Sequence, residues 1–349
     1  MAETLRVGLL GYGYASKTFH APLIISTPGL MLVAVSSSDA DKVHADLPSV
    51  RVEREPQVLF NDPDIDLIVI PTPNDTHFPL VKQALEAGKH VVVDKPFTVT
   101  LSQANELNRL AQSRGKLLSV FHSRRWDSDY LTLRQLLSTG VLGDVVYMES
   151  HFDRYRPEVR KRWREDGSVG SGIWYDLAPH LIDQVLQLFG QPVSIQVDMA
   201  QLRPGSKSID YFHATLLYPL RRVVLHSTML AAAESARFVV HGTQGSYVKF
   251  GLDPQEGLLK EGQRPDDHAE WGQDQRDGVL TVCQNGVLAQ QTIPTIPGQY
   301  QAYYAGIRDA IRGDGENPVP AEQAIKVMEL IELGLESWEQ KKAMTLKNH

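Results

Sequence analysis

The residues that could do chemistry here are an amine, a carboxylate and an imidazole, spread between positions 95 and 180. Lys95, in Asp94-Lys95-Pro96, directly follows the apolar run Val91-Val92-Val93. A lysine at a strand's carboxyl end can stabilise an alkoxide that develops beside it. The alternative is a surface lysine paired with Asp94. Asp176 and His180 lie in the segment Gly172-Ile173-Trp174-Tyr175-Asp176-Leu177-Ala178-Pro179-His180. On a helix that spacing places both side chains on one face, a turn apart. Pro179 belongs in a first turn, so the helix is expected to begin near Ala178. Histidine titrates near neutral pH and a neighbouring carboxylate can orient it, which suits general acid–base work. A structural hydrogen-bonded pair is the alternative. Asp176, His180 and Asp183 would also serve as metal ligands, but zinc sites more often show a clear histidine pair or cysteines. No metal is expected.

A base and an amine acting on an alcohol need a hydride acceptor. The chain opens with the apolar run Leu5–Leu10 and then Gly11-Tyr12-Gly13-Tyr14. Glycines there let the backbone turn tightly and let a pyrophosphate approach a helix N-terminus. Gly11, Gly13 and Tyr14 are therefore candidate cofactor contacts. Ser16 replaces the third glycine of the usual fingerprint, with Ala15 beside it. A glycine turn that joins strand to helix for packing alone is the alternative.

The second strand bears on NAD against NADP. An NAD site places a carboxylate about 20 residues past the glycines, on the ribose 2′-hydroxyl. Here the strand ends in Ser36-Ser37-Ser38, with Asp39 only afterwards and Lys42 nearby. Serines can donate to a 2′-phosphate, so NADP is preferred, with NAD the alternative should Asp39 turn inward. Thr72, Pro73, Asn74 and His77 follow the apolar run Leu67–Ile70 and would line the same cleft, as would Asp94 and Lys95. A plain turn before a helix capped by Asp75 or Thr76 is the other reading of Pro71–His77. For substrate, Arg124, Arg125 and Trp126, with Tyr155 and Arg156, supply forked donors and aromatic surface that could grip a polyol or a carboxylate. A solvated basic surface is the alternative.

The first third must position these groups, and it alternates apolar strands with amphipathic stretches, the rhythm of a parallel βαβ sheet. Strands are expected at Leu5–Leu10, Leu30–Ser36, Leu67–Ile70, His90–Val93 and Leu117–Phe121. Helices are expected at Phe78–Ala87, ending at Gly88, and at Ser102–Ser113 with Ser102 as N-cap. Beyond about residue 122 the pattern shifts to alternating segments that suit a largely antiparallel sheet with one covered face. Gly251–Gly278 reads as an extended surface excursion, and Ala302–Ile311 and Ala321–Glu339 as helices. The expected domains are 1–122 and 123–349, with the last helix packing back on the first domain.

At 349 residues the chain has room for two domains, and 42% hydrophobic residues suffice for real cores. A net charge of −7 disfavours nucleic acid as a partner. A single cysteine, Cys283, excludes an internal disulfide. No apolar run reaches bilayer length and no signal-type segment opens the chain, so no membrane partner and a cytoplasmic location are expected.

Together Gly11-x-Gly13, Thr72-Pro73 with His77, Asp94-Lys95-Pro96 and Asp176-x-x-x-His180 resemble the glucose–fructose oxidoreductase / inositol dehydrogenase / MocA family along nearly the whole chain. Asp94 stands where members usually carry Glu. Arg124-Arg125-Trp126-Asp127 and Ser150–Pro157 look like the NADP-dependent scyllo-inositol dehydrogenase branch, with Ser123 where that branch often has Asn. The resemblance implies a Rossmann domain followed by an α/β domain with an open sheet. It implies Lys95, Asp176 and His180 as the catalytic set, with His180 as proton acceptor, and homodimers or homotetramers built through the second domain's sheets. The expected activity is NAD(P)-dependent hydride transfer to or from a cyclic polyol or sugar. The rivals are a non-catalytic nicotinamide-binding redox sensor and a diol or carbonyl reductase for aromatic substrates.

Overall fold

A computed structural model describes residues 4–267 and 269–346. The outermost residues of the two expected domains, 1–3 and 347–349, lie outside them. The chain forms two compact units, the first from 1–126, 254–272 and 299–325, the second from 127–253, 273–298 and 326–349.

The first unit is built on six parallel strands: β1 (Leu5–Leu10), β2 (Leu30–Ser36), β3 (Arg51–Glu53), β4 (Leu67–Ile70), β5 (His90–Val93) and β6 (Leu118–Val120). Their order is β3-β2-β1-β4-β5-β6. The chain winds outward one way from β1 and the other way from β4, which opens a crevice at their carboxyl ends. The strands read as near-continuous apolar runs because both faces are covered; all of Leu67–Ile70 is buried. Between strands lie α1 (Ala21–Ile25), α2 (Ala40–His44), α3 (Pro56–Asn61), α4 (Asn74–Glu86) and α5 (Leu101–Arg114).

Two helix starts differ from expectation. α4 opens at Asn74, behind Pro73, so Asp75 and Thr76 sit inside its first turn. Proline fixes φ and needs no N–H at that boundary. For α5 the cap is Thr100, extended at φ −135°, whose hydroxyl accepts the Gln103 N–H at 3.3 Å; Ser102 lies in the first turn.

The second unit opens with α6 (Ser128–Ser138), β7 (Val145–His151) and α7 (Gly172–Phe189). It continues through β8 (Ser194–Ala200), β9 (Tyr211–Leu217), β10 (Arg222–Thr228), β11 (Ala236–Gly242), β12 (Gly245–Phe250), β13 (Gly278–Gln284), β14 (Val287–Ile293) and β15 (Met344–Thr345). These strands form one sheet in the order β14-β13-β12-β11-β7-β10-β9-β8-β15. Every pairing is antiparallel except β7 with β10. Alternate residues such as Met148, Phe212, Leu216, Leu225 and Val240 are buried beneath one face, which α7 covers. The intervening Glu149, His151, His213 and His226 mark the other face.

α7 begins six residues before the expected Ala178, and Pro179 is internal to it. The apolar face of this helix is buried along nearly its whole length, and tertiary packing outweighs the local cost of the proline. Trp174 is fully buried and donates its Nε1–H to the Ile331 carbonyl at 3.1 Å. A Cβ on Gly334 would stand 2.3 Å from the same indole, so only glycine fits there.

Two later segments return to the first unit. Residues 254–272, within the stretch expected to be a surface excursion, contain α8 (Gln255–Lys260), which packs on the helical turn Ser16–His20. Gln255 ties the segment in: Nε2 donates to the Trp126 carbonyl at 3.1 Å, and Oε1 accepts from Trp271 Nε1 at 2.9 Å and the Tyr300 N–H at 2.8 Å. Residues 299–325 carry α9 (Gln301–Arg312) and the start of α10 (Ala321–Gln340). Here Val319 and Pro320 cover the β6 edge, the Val120 N–H and Ser119 hydroxyl donating to the Val319 carbonyl at 3.2 and 2.9 Å. Among the described residues no helix is long and apolar enough to cross a membrane.

Candidate active site

In the first unit the candidate residues gather along the carboxyl edge of the parallel sheet. After β1, Gly11 takes φ +75°, a conformation open to glycine, and its N–H donates to the Ser36 carbonyl at 2.7 Å. The helix beyond starts at once, with the Lys17 N–H on the Gly13 carbonyl at 3.0 Å. A Cβ on Gly13 would meet nothing within 4 Å, and one on Gly11 only Thr72 Cγ2 at 3.8 Å. The turn therefore presents bare backbone at a helix N-terminus beside the β1/β4 crevice, which fits a dinucleotide pyrophosphate. Tyr14 is half-exposed and donates its hydroxyl to Glu256 Oε1 at 3.1 Å.

After β2, Ser36 is buried and its hydroxyl is 3.4 Å from the Arg54 carbonyl, while Ser37 is half-buried and Ser38 exposed. Asp39 is the N-cap of α2, its carboxylate accepting the Lys42 N–H at 3.0 Å. Arg54, exposed just past β3, brings a cation to this rim. Sequence reasoning passed over it because β3 is only three residues long.

The turns after β4 and β5 are clasped by His77. Its ring is buried, with Nδ1 2.9 Å from the Pro96 carbonyl and Nε2 2.9 Å from the Thr72 carbonyl. Burial pushes its pKa below the usual histidine value. Thr72 Oγ1 lies 2.6 Å from the Thr76 hydroxyl, and Asn74 is buried at the start of α4. The Lys95–Pro96 peptide is cis. Asp94 accepts the Lys95 N–H at 2.7 Å and lies 3.8 Å from His20 Nε2. Burial raises the Asp94 pKa, but His20 first, then Lys95 and His77, outweigh it and hold the carboxyl at about 2. His20, fully buried, meets the Tyr304 hydroxyl at 2.6 Å and packs on Phe121. Spacing does not reveal His20, because its partners are far away along the chain.

Arg124 and Arg125 are both buried. Arg124 pairs with Glu256 at 2.7 Å, and Arg125 donates to Gln323 Oε1 at 2.6 Å and the Pro318 carbonyl at 3.2 Å. These bonds hold the returning segments, which weighs against either arginine as a substrate grip. Trp126 lies edge-on to Tyr303 with centroids 5.7 Å apart. Glu256 also pairs with Lys260 at 2.6 Å. Burial opposes its ionisation, yet Arg124 and Lys260 keep its carboxyl at about 2.

In the second unit Asp176 and His180 both lie within α7, one turn apart, with His180 buried. Arg164 Nε stands 3.5 Å from Asp176 Oδ1, and its guanidinium covers the Trp163 ring at 4.5 Å. The segment carrying Arg164 is anchored by Arg203. That side chain is buried, pairs with Glu165 and Asp210 at 3.0 Å each, and donates to the Arg156 and Glu158 carbonyls at 3.1 Å. Tyr155 is 61% exposed and bridged to Leu230, so its ring is available to a ligand; the Arg156 N–H donates to the Met229 carbonyl at 2.7 Å.

With this geometry in place, comparison with known proteins defines the class. Residues 5–122 match the oxidoreductase family model for an NAD-binding Rossmann fold, and 134–346 match that family's C-terminal alpha/beta domain. The chain belongs to the Gfo/Idh/MocA oxidoreductase family. It is 70% identical over 337 residues to the uncharacterized oxidoreductase YdgJ of Escherichia coli, with 97% of each chain covered. It is 37% identical to scyllo-inositol 2-dehydrogenase (NADP(+)) IolW of Bacillus subtilis, over 99% of this chain and 97% of that one. The solved structure of YPO2259 from Yersinia pestis superposes with a TM-score of 0.96 at 68% identity, covering 100% of this chain and 99% of the other.

Proposed function

We propose that this oxidoreductase is an NADP-preferring dehydrogenase that moves a hydride between nicotinamide and the secondary alcohol or ketone of a cyclic polyol or sugar of the inositol type. The observation that carries the reading is the shared edge in the first unit. The open glycine turn and Lys95 both follow strands of one sheet whose order reverses at β1 and β4. A bound nicotinamide supplies the hydride acceptor or donor. The chain's own residues do the rest. His180 takes the hydroxyl proton during oxidation and returns it during reduction. Lys95 polarises the carbinol oxygen through its ammonium. Asp176 orients the base, and Arg164 beside it keeps the carboxylate in place. Tyr155, Arg156 and Trp126 stay the substrate contacts of this reading.

The cofactor preference rests on the β2 rim. Asp39 is occupied as a helix cap, and the half-buried Ser37 with the exposed Ser38, Lys42 and Arg54 favours a 2′-phosphate. The IolW relative, whose name carries NADP, supports both halves of the proposal. An exposed lone thiol at Cys283 suits a reducing compartment, so the cytoplasm belongs to the reading. So does a homodimer or homotetramer formed through the sheet of the second unit.

The test follows nicotinamide absorbance with inositol isomers, aldoses and an aromatic dihydrodiol, with NAD and NADP in parallel. Turnover of an inositol with NADP is expected. Cofactor binding without turnover across the panel would make the protein a sensor, and preference for the aromatic diol would make it a different reductase.

A further inference from the structure

The face of the second unit's sheet turned away from α7 carries three histidines side by side. Strand register aligns them: His226 on β10 pairs with His151 on β7 and with His213 on β9. The His226 ring lies 5.2 Å from that of His151 and 5.8 Å from that of His213. Asp153, two residues past His151 and so on the same face, completes the group. It is fixed by the Thr228 N–H, which donates to Oδ1 at 3.1 Å.

We propose that His151, Asp153 and His226 form a binding site for a divalent transition metal of the zinc class, separate from the residues assigned to hydride transfer. One ligand atom from each of the three side chains lies within 4.8 Å of the others. His151 Nδ1 is 3.4 Å from Asp153 Oδ2, and His226 Nε2 is 3.5 Å from Asp153 Oδ1. These separations are long for hydrogen bonds between such groups. Each is close to the edge, about 3.4 Å, of a tetrahedron with zinc bonds of about 2.0–2.1 Å; the two histidines face different oxygens of Asp153, so binding through one oxygen needs a rotation of that carboxylate. The histidine–histidine edge closes as the ion draws the rings together.

A second observation points the same way. His151 Nε2, the nitrogen turned away from Asp153, is 2.8 Å from Glu149 Oε2. Tyr147 in turn donates its hydroxyl to the other oxygen of Glu149 at 2.5 Å. A metal-bound histidine characteristically donates its remaining N–H to a carboxylate, which fixes the tautomer and makes the free nitrogen a better ligand. The carboxylates of Glu149 and Asp153 together balance a dication. A cavity of about 380 Å³ lined by His151 and Asp153, and also by Tyr155, Arg154, Arg237 and Arg276, adjoins the group and leaves room for a fourth ligand such as water.

The experiment uses the full chain after chelator treatment and gel filtration. Zinc content is measured after equilibration with equimolar Zn²⁺, and Co²⁺ titration is followed by visible absorption. The expected result is one ion per chain, tetrahedral-type cobalt bands and a raised thermal midpoint with Zn²⁺. His226→Ala and Asp153→Asn should weaken binding at least a hundredfold. Glu149→Gln should weaken it about ten- to a hundredfold, as loss of an outer-shell carboxylate does. His241→Ala, a histidine elsewhere on this sheet, should bind as wild type. Circular dichroism of each metal-free variant keeps misfolding apart from lost binding, and a misfolded variant is replaced by His151→Gln. Absence of stoichiometric binding by the wild type, or equal binding by folded ligand variants, overturns the proposal.

Discussion

At the scale of single residues, the labour of an alcohol oxidation divides, in the proposed mechanism, between Lys95 and His180. Lys95→Ala or His180→Ala should lower turnover about a hundredfold or more while cofactor affinity, read by fluorescence titration, stays nearly unchanged. Parallel losses of cofactor affinity in both variants would count against the assignment. At the β2 rim, Ser37→Asp should move the ratio of kcat/KM for NADP over NAD toward NAD by about tenfold or more, since a carboxylate there repels a 2′-phosphate and accepts from a ribose hydroxyl. The placement of the glycines and Lys95 at the carboxyl ends of strands was legible because it is local: a strand, then a turn. Arg124 and Arg125 were not. Their acceptors, Glu256, Gln323 and Pro318, sit far along the chain, and spacing alone makes a committed guanidinium look like an available one.

Among elements, α8 and α7 show where periodicity stops being enough. The polar, glycine-rich stretch around α8 reads as loop, yet Gln255 and Glu256 lock it to Trp126, Tyr300 and Arg124. Its glutamate also sets a pH dependence. The Glu256 pKa falls from 4.5 to about 2 on folding. Between those values the unfolded chain binds the extra proton, so this contribution to stability is complete above about pH 4.5 and is lost as pH falls toward 2. Asp94, also held at about 2, acts in the same direction. Glu256→Gln should therefore flatten the acid limb of thermal midpoint against pH. In the second unit, Arg203→Ala strands Glu165 and Asp210 in the interior. Urea unfolding should show a loss of about 3–5 kcal/mol, the usual effect of breaking a buried ion pair from one side. α7 shows the same limit on sequence reading. Proline chemistry set its start too late, because the burial that overrides Pro179 involves Trp174 and the distant Gly334.

For the whole molecule, the fold class was legible. Strand-and-helix alternation followed by two-residue alternation is a direct consequence of covering two faces of one sheet and one face of the other. What alternation does not encode is where the chain returns. The first unit draws on three separate stretches, the last of which ends at residue 325. Residues 1–122, the stretch that ends with the family's Rossmann model, leave out Val319 and Pro320. Expressed alone, that fragment should exchange the Val120 amide hydrogen quickly and self-associate, by hydrogen exchange and light scattering, because a bare edge strand is a template for pairing.

The cover over β6 also has a consequence for biosynthesis. A nascent chain leaving the ribosome exposes all six parallel strands long before Val319 emerges. Until then the sheet has an unfinished margin, and that interval is when a chaperone that shields strand edges would matter most to this protein.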